Sequence, residues 1–131
     1  MFFEKELEVT GVNCERLSKK ESFGLQKEWL ELFANRVKEK TGKWVIDGFM
    51  WSGFYQGIQP CLMEEKAFQK YIGQKVEEYY IFDESGKHAY RCSSAEYPDF
   101  RSFGRDIYLM PKSELWTMVF SHEMAVYFAE V

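Results

Sequence analysis

The chain has 131 residues, 46% of them hydrophobic and 29% charged, with a net charge of −4, which suits one globular domain that needs no metal or disulfide staple. Residues 44–131 carry the acidity, with thirteen Asp/Glu against eight Lys/Arg, while residues 1–43 hold eight Glu against nine Lys/Arg. No basic stripe is present to neutralise phosphates, which argues against nucleic acid and toward a basic protein partner; no apolar run approaches the roughly 18 residues that span a membrane.

Residues 1–21 are largely polar, with a short apolar piece at Leu7 and Val9, and read as a short strand or ordered arm followed by a connector. Ser22 is a candidate helix cap. From Phe23 to about Lys40, Leu25, Trp29, Leu32, Phe33 and Val37 recur at helical spacing, and Thr41-Gly42 closes that helix. Residues 44–59 are dense in aromatics, but Gly48, Gly53 and Gly57 interrupt every period. A short helical turn or an irregular aromatic segment is expected there. After Pro60 a second helix should carry Glu64 and Glu65 in its first turn and bury Met63, Ala67, Phe68, Tyr71 and Ile72, ending at Gly73.

Strands dominate the rest. Val76–Phe82 and His88–Cys92 form a hairpin around Asp83–Gly86. Ser93–Gly104 reads as a long loop. Asp106–Met110, Trp116–Phe120 and Ala125–Ala129 then complete the sheet, with Pro111–Glu114 and Ser121–Met124 as turns. The apolar C-terminal block must be paired, because an unpaired apolar terminus frays or aggregates. The fold class is a single α+β domain over residues 1–131. An antiparallel sheet of four or five strands in the C-terminal half packs one face against two main helices from the N-terminal half.

Both histidines fail simple catalytic tests. His122 and Glu123 are neighbours, which point apart on a strand and meet only in a turn. The same geometry separates Ser121 from His122, and no third orienting residue is visible. On a strand, His88 and Cys92 lie about 13 Å apart, too far to share one ion. Cys14, Cys61 and Cys92 are odd in number and widely spaced, which suits reduced thiols in a cytoplasmic protein. Cys61 precedes a helix, where the dipole could lower a thiol pKa, but a buried structural thiol is the simpler outcome. Glu77, Glu78, Asp83 and Glu84 read as a solvated hairpin rim. Arg101 and Arg105 either bind an anion or tie the long loop to carboxylates. There is no Gly-rich phosphate loop, nucleophile elbow or zinc-binding H-E-x-x-H, so no catalytic residue, cofactor or metal is assigned.

Several segments together resemble one family. They are Asp106-Ile-Tyr-Leu-Met-Pro111, the run Trp116–Glu123, Tyr127-Phe128, Pro60-Cys-Leu-x-Glu-x-x-Ala67 and Tyr79-Tyr-Ile-Phe82. They are similar to the uncharacterised domain-of-unknown-function family DUF4275, found mostly in Bacillus-type Firmicutes. The resemblance covers most of residues 23–131. It implies a cytosolic bacterial α+β domain and no particular reaction.

The aromatic fraction is 18%, with 12 Phe, 8 Tyr and 4 Trp. Either the core uses Phe where other proteins use Leu, or some rings line a pocket or partner surface. Small size, acidity and aromatic excess point to a non-enzymatic interaction protein of the inhibitor or immunity type. Its surface would draw on Trp44, Trp51, Tyr55, Arg101, Arg105, Trp116 and His122. The rival is a small-ligand binder or minor hydrolase whose pocket is lined by Trp51, Tyr55 and Trp116, with His122 as the titrating group. A homodimer through an edge strand or the aromatic segment is a third expectation.

Overall fold

The computed structural model describes residues 2–131. The N-terminal stretch is helix α1 (Phe2–Val9) followed by strand β1 (Asn13–Arg16), not a strand or arm alone; Met1, part of that expected arm, lies outside the described residues. Two distant contacts fix α1. Leu7 is fully buried in the core, and Glu4 pairs with Arg16 at 2.8 Å.

The next helix, α2 (Lys19–Phe33), begins earlier than the apolar stripe suggests. Its cap is Ser18, not Ser22. Ser18 Oγ accepts from the Glu21 N–H, and Glu21 Oε1 accepts from the Ser18 N–H, both at 3.1 Å. Ser22 lies inside the helix, fully buried, and donates its hydroxyl to the Gly86 carbonyl. The single helix expected as far as Lys40 is broken at Ala34, and α3 (Asn35–Thr41) continues from there. Gly42 ends α3 with φ 77°, a left-handed geometry that glycine adopts without a Cβ penalty.

The aromatic segment contains only one turn of helix, α4 (Ser52–Tyr55). Strand β2 (Leu62–Met63) leads into α5 (Glu64–Ile72), which stops at Gly73. Five strands follow: β3 (Tyr79–Asp83), β4 (Ala89–Ser93), β5 (Ile107–Pro111), β6 (Trp116–Phe120) and β7 (Val126–Glu130).

All neighbouring strands are antiparallel, in the order β1-β4-β3-β5-β6-β7-β2. The sheet therefore has seven strands, not four or five. The two extra strands come from the N-terminal half and form the edges. Both are short, and β1 (Asn-Cys-Glu-Arg) has no apolar alternation to betray it. Short or polar edges also discourage pairing with another chain.

Helices cover both faces of the sheet, not one. On one face Ile107, Leu109, Met118, Phe120 and Phe128 pack with Leu7 of α1 and Ala67, Phe68 and Tyr71 of α5. On the other, Tyr108, Met110, Val119 and Tyr127 pack with Trp29, Phe33, Val37, Trp51 and Phe54 from α2 to α4. Strands β5 and β6 are buried at every position. That explains their near-continuous apolar sequence, since a strand covered on both faces has no polar side to alternate with.

One buried polar relay pins α2 to the sheet. Trp29 Nε1–H donates to Thr117 Oγ1 at 2.9 Å, and the Thr117 hydroxyl donates to the Leu109 carbonyl at 2.9 Å. Each group must find such a partner, because a buried unpaired donor costs about 1–3 kcal/mol.

Candidate functional site

Strand register brings three distant ionisable residues to one end of the sheet. Asp83 stands opposite Ile107, so the next residues outward, Glu84 and Asp106, meet at the ends of β3 and β5. Ile107 in turn stands opposite Phe120, which carries the β6–β7 turn and His122 to the same rim. The irregular segment 46–51 closes over this end.

Asp106 is the hub. Its Oδ1 accepts from Trp51 Nε1–H and from the His122 backbone N–H, each at 2.9 Å. His122 Nδ1 lies 3.0 Å from Oδ1 and 3.1 Å from Oδ2. A carboxylate only accepts, so the ring holds its proton on Nδ1 toward Asp106. This hydrogen bond is the main reason the His122 pKa is raised above 6.5, with the charges of Asp106 and Glu123 adding to it. The imidazole packs on Phe49, centroid to centroid 4.8 Å, and stands 6.0 Å from Trp51. Its Nε2 faces Glu123 Oε1 at 3.7 Å. Met124, with φ 70°, helps close the β6–β7 turn, its N–H bonding to the Ser121 carbonyl at 3.1 Å. Ser121 plays no part with His122, because its hydroxyl donates to the Ala125 carbonyl at 2.8 Å.

Glu84 is no solvated rim carboxylate. Burial pushes its pKa up to about 7, and repulsion from Asp106 and Asp83 adds to this. Hydrogen bonds from the Tyr108 hydroxyl and from the Met50 N–H, the latter at 2.9 Å, oppose the rise. Tyr108 is fully buried, and its own pKa is raised well above 10 by burial and by Glu84.

Two recesses flank the hub. An open hollow of about 330 Å³ is lined by Asp83, Glu84, Ser85, Gly104, Arg105, Asp106 and His122. A smaller one of about 170 Å³ is lined by Phe49, Trp51, Ser52, Tyr55 and the carboxylate residues Asp47 and Glu123. Its Trp51 wall is rigid, since Trp51 stacks between Phe49 at 5.2 Å and Tyr127 at 5.7 Å.

The structure brings Trp51, Tyr55, His122 and Arg105 to this end of the sheet and leaves the other expected site residues elsewhere. Trp51 is 4% exposed and Tyr55 67%. Trp44 packs under Lys38 Nζ, 5.8 Å from the ring centroid. Arg101 is bound to Asp99 at 2.8 Å and lies 3.5 Å over the Phe68 ring. Trp116 is buried on the opposite face of the sheet against Tyr71, Tyr97 and Phe128, so it cannot share a pocket with Trp51 and Tyr55. His88 meets Arg16 Nη2 through Nδ1 at 3.0 Å, while Cys92 packs in the core with Cys14 beside it. In sequence Asp106 and Tyr108 carry no site role and Glu84 reads as solvated rim, because only pairing across strands unites the three.

Among the described residues, no group of three or more His, Cys, Asp or Glu side chains is placed to hold a metal ion. No described helix is long and apolar enough to cross a membrane.

The architecture is a seven-stranded antiparallel sheet between two helical layers, with a carboxylate–histidine cluster at one end. The chain belongs to the DUF4275 family, a domain of unknown function, whose sequence profile matches residues 1–128. No curated protein and no solved structure matches the chain.

Proposed function

We propose that the protein is a non-enzymatic interaction module, of the inhibitor or immunity type, which engages a basic segment of another protein. The observation that carries this reading is the 170 Å³ recess, where three aromatic rings and two carboxylates converge. Ring faces carry negative quadrupole potential, and a cation over an exposed one gains about 0.5–1 kcal/mol. Carboxylates at the rim add steering and orientation. A lysine or arginine side chain satisfies both features. Tyr55 already stands mostly in solvent, so a partner would bury it at little reorganisation cost.

The test titrates the protein with an arginine-rich peptide and follows backbone and indole N–H shifts by NMR. Saturable shifts at Trp51, Tyr55 and Glu123, weakened by salt, are expected. Tyr55→Ala and Glu123→Gln should each weaken binding several-fold. Shifts scattered evenly over the acidic surface, equal in both variants, would overturn the reading.

A second reading, a small-ligand binder or minor hydrolase, is favoured by the larger hollow. There an imidazole oriented by Asp106 and a carboxyl group with a pKa of about 7 line one space. It requires His122→Ala and Glu84→Gln to abolish an activity or affinity that Tyr55→Ala spares.

A further inference from the structure

We infer that Cys14 and Cys92 form a conditional cross-strand disulfide, a reversible clasp between the edge strand β1 and strand β4. The two residues are direct register partners, Cys14 opposite Cys92. Opposed residues of an antiparallel pair have Cα atoms about 4.5 or 5.5 Å apart, and both separations fall within the range that a disulfide spans. Residues directly opposite in such a pair project to the same face, and both cysteines pack on the α1/α5 side of the sheet. Both are free thiols, Cys92 buried and Cys14 half-buried at the edge. Burial raises both pKa values, with Glu4 and Glu8 adding to the rise at Cys14 and Cys14 adding to the rise at Cys92, so the pair is a slow, reversible responder and not a fast catalytic thiol.

The oxidant is a small-molecule disulfide such as oxidised glutathione. The Cys14 thiolate attacks it, forming a mixed disulfide and releasing one glutathione thiolate. The Cys92 thiolate then attacks the Cys14 sulfur and expels the second glutathione. Two protein thiols are oxidised to one S–S bond, and one glutathione disulfide is reduced to two thiols. The two thiol protons go to solvent and to the leaving thiolates. The bond would tie β1, and with it α1 through the Thr10-Gly11 turn, to the body of the sheet.

The full chain incubated with oxidised glutathione at mildly alkaline pH tests this. Thiols titrated after denaturation should fall from three to one, and digestion should give a linked pair of peptides containing Cys14 and Cys92. Dithiothreitol should restore all three. Cys61→Ser should close the same bond, and Cys14→Ser should not. Three persisting thiols, a glutathione adduct that stays on Cys14 without closing, or a link through Cys61 would each overturn the inference.

Discussion

Trp51 and His122 meet on a single oxygen: the indole N–H and the His122 backbone N–H both donate to Asp106 Oδ1 at 2.9 Å. One carboxylate therefore fixes the aromatic segment and the β6–β7 turn to the start of β5. Asn at this position keeps an acceptor oxygen for both donors but removes the charge facing the imidazole. Asp106→Asn should lower the His122 pKa from its raised value toward 6.5, with the fold retained. A proton NMR titration reads it directly; an unmoved His122 midpoint would refute the assigned cause. The stability linkage has a definite sign. A histidine with a raised folded pKa stabilises the fold fully below about 6.5, and this contribution is lost as pH rises through the folded value.

Glu84 drives stability in the same direction by the opposite chemistry. Its pKa rises on folding from about 4.5 to about 7, so the native state binds the proton more tightly. Stability should fall between those values as Glu84 ionises in a partly buried site. At ~1.4 kcal/mol per pKa unit the loss is on the order of 3 kcal/mol. Glu84→Gln should flatten this slope, because glutamine does not titrate. Urea midpoints at about pH 5 and about pH 8, for both proteins, decide it. An equal drop in the two would place the titration elsewhere.

The central strands were legible and the edges were not, for a physical reason. Trp116–Phe120, with Thr117 as its one polar residue, and Ile107–Met110 are almost continuously apolar, a pattern that survives without knowledge of their partners. The same pattern signals cover on both faces, which the one-faced expectation overlooked. Strand β1 is held by pairing with β4 and by Arg16 bonding to Glu4, and both are long-range. The site was hidden likewise. Glu84, Asp106 and His122 carry no shared local motif, and only the register of β3, β5 and β6 unites them. The Ser121-His122-Glu123 run looks more like chemistry in sequence, yet the serine is tied to Ala125 and the histidine turns to Asp106.

Thr117 is the polar residue that the apolar run most needs. Thr117→Val keeps the shape but removes the acceptor for the Trp29 indole, which is fully buried. The expected cost is about 1–3 kcal/mol, read from urea unfolding. Adding Trp29→Phe removes the stranded donor, so the double variant should lose less than the sum of the two single changes. Strict additivity would show that the pair does not interact.

Two glycines should respond to alanine in opposite directions. Gly24 lies on the exposed face of α2, and a Cβ there would meet nothing within 4 Å. Gly24→Ala should stabilise by about 0.5–1 kcal/mol, by reducing the freedom of the unfolded chain and improving helix propensity. Gly53 is buried in α4, and a Cβ there would overlap Val37 Cγ2. Gly53→Ala must push α4 away from α3 or force Val37 off its rotamer, at about 1–3 kcal/mol. Because α4 carries Tyr55 and follows Trp51, that shift should also disturb the aromatic recess. Thermal unfolding measures both signs, and the Trp51 indole N–H shift reports the displacement. Gly53→Ala as stable as the parent, with an unmoved indole signal, would refute the tight contact between Gly53 and Val37.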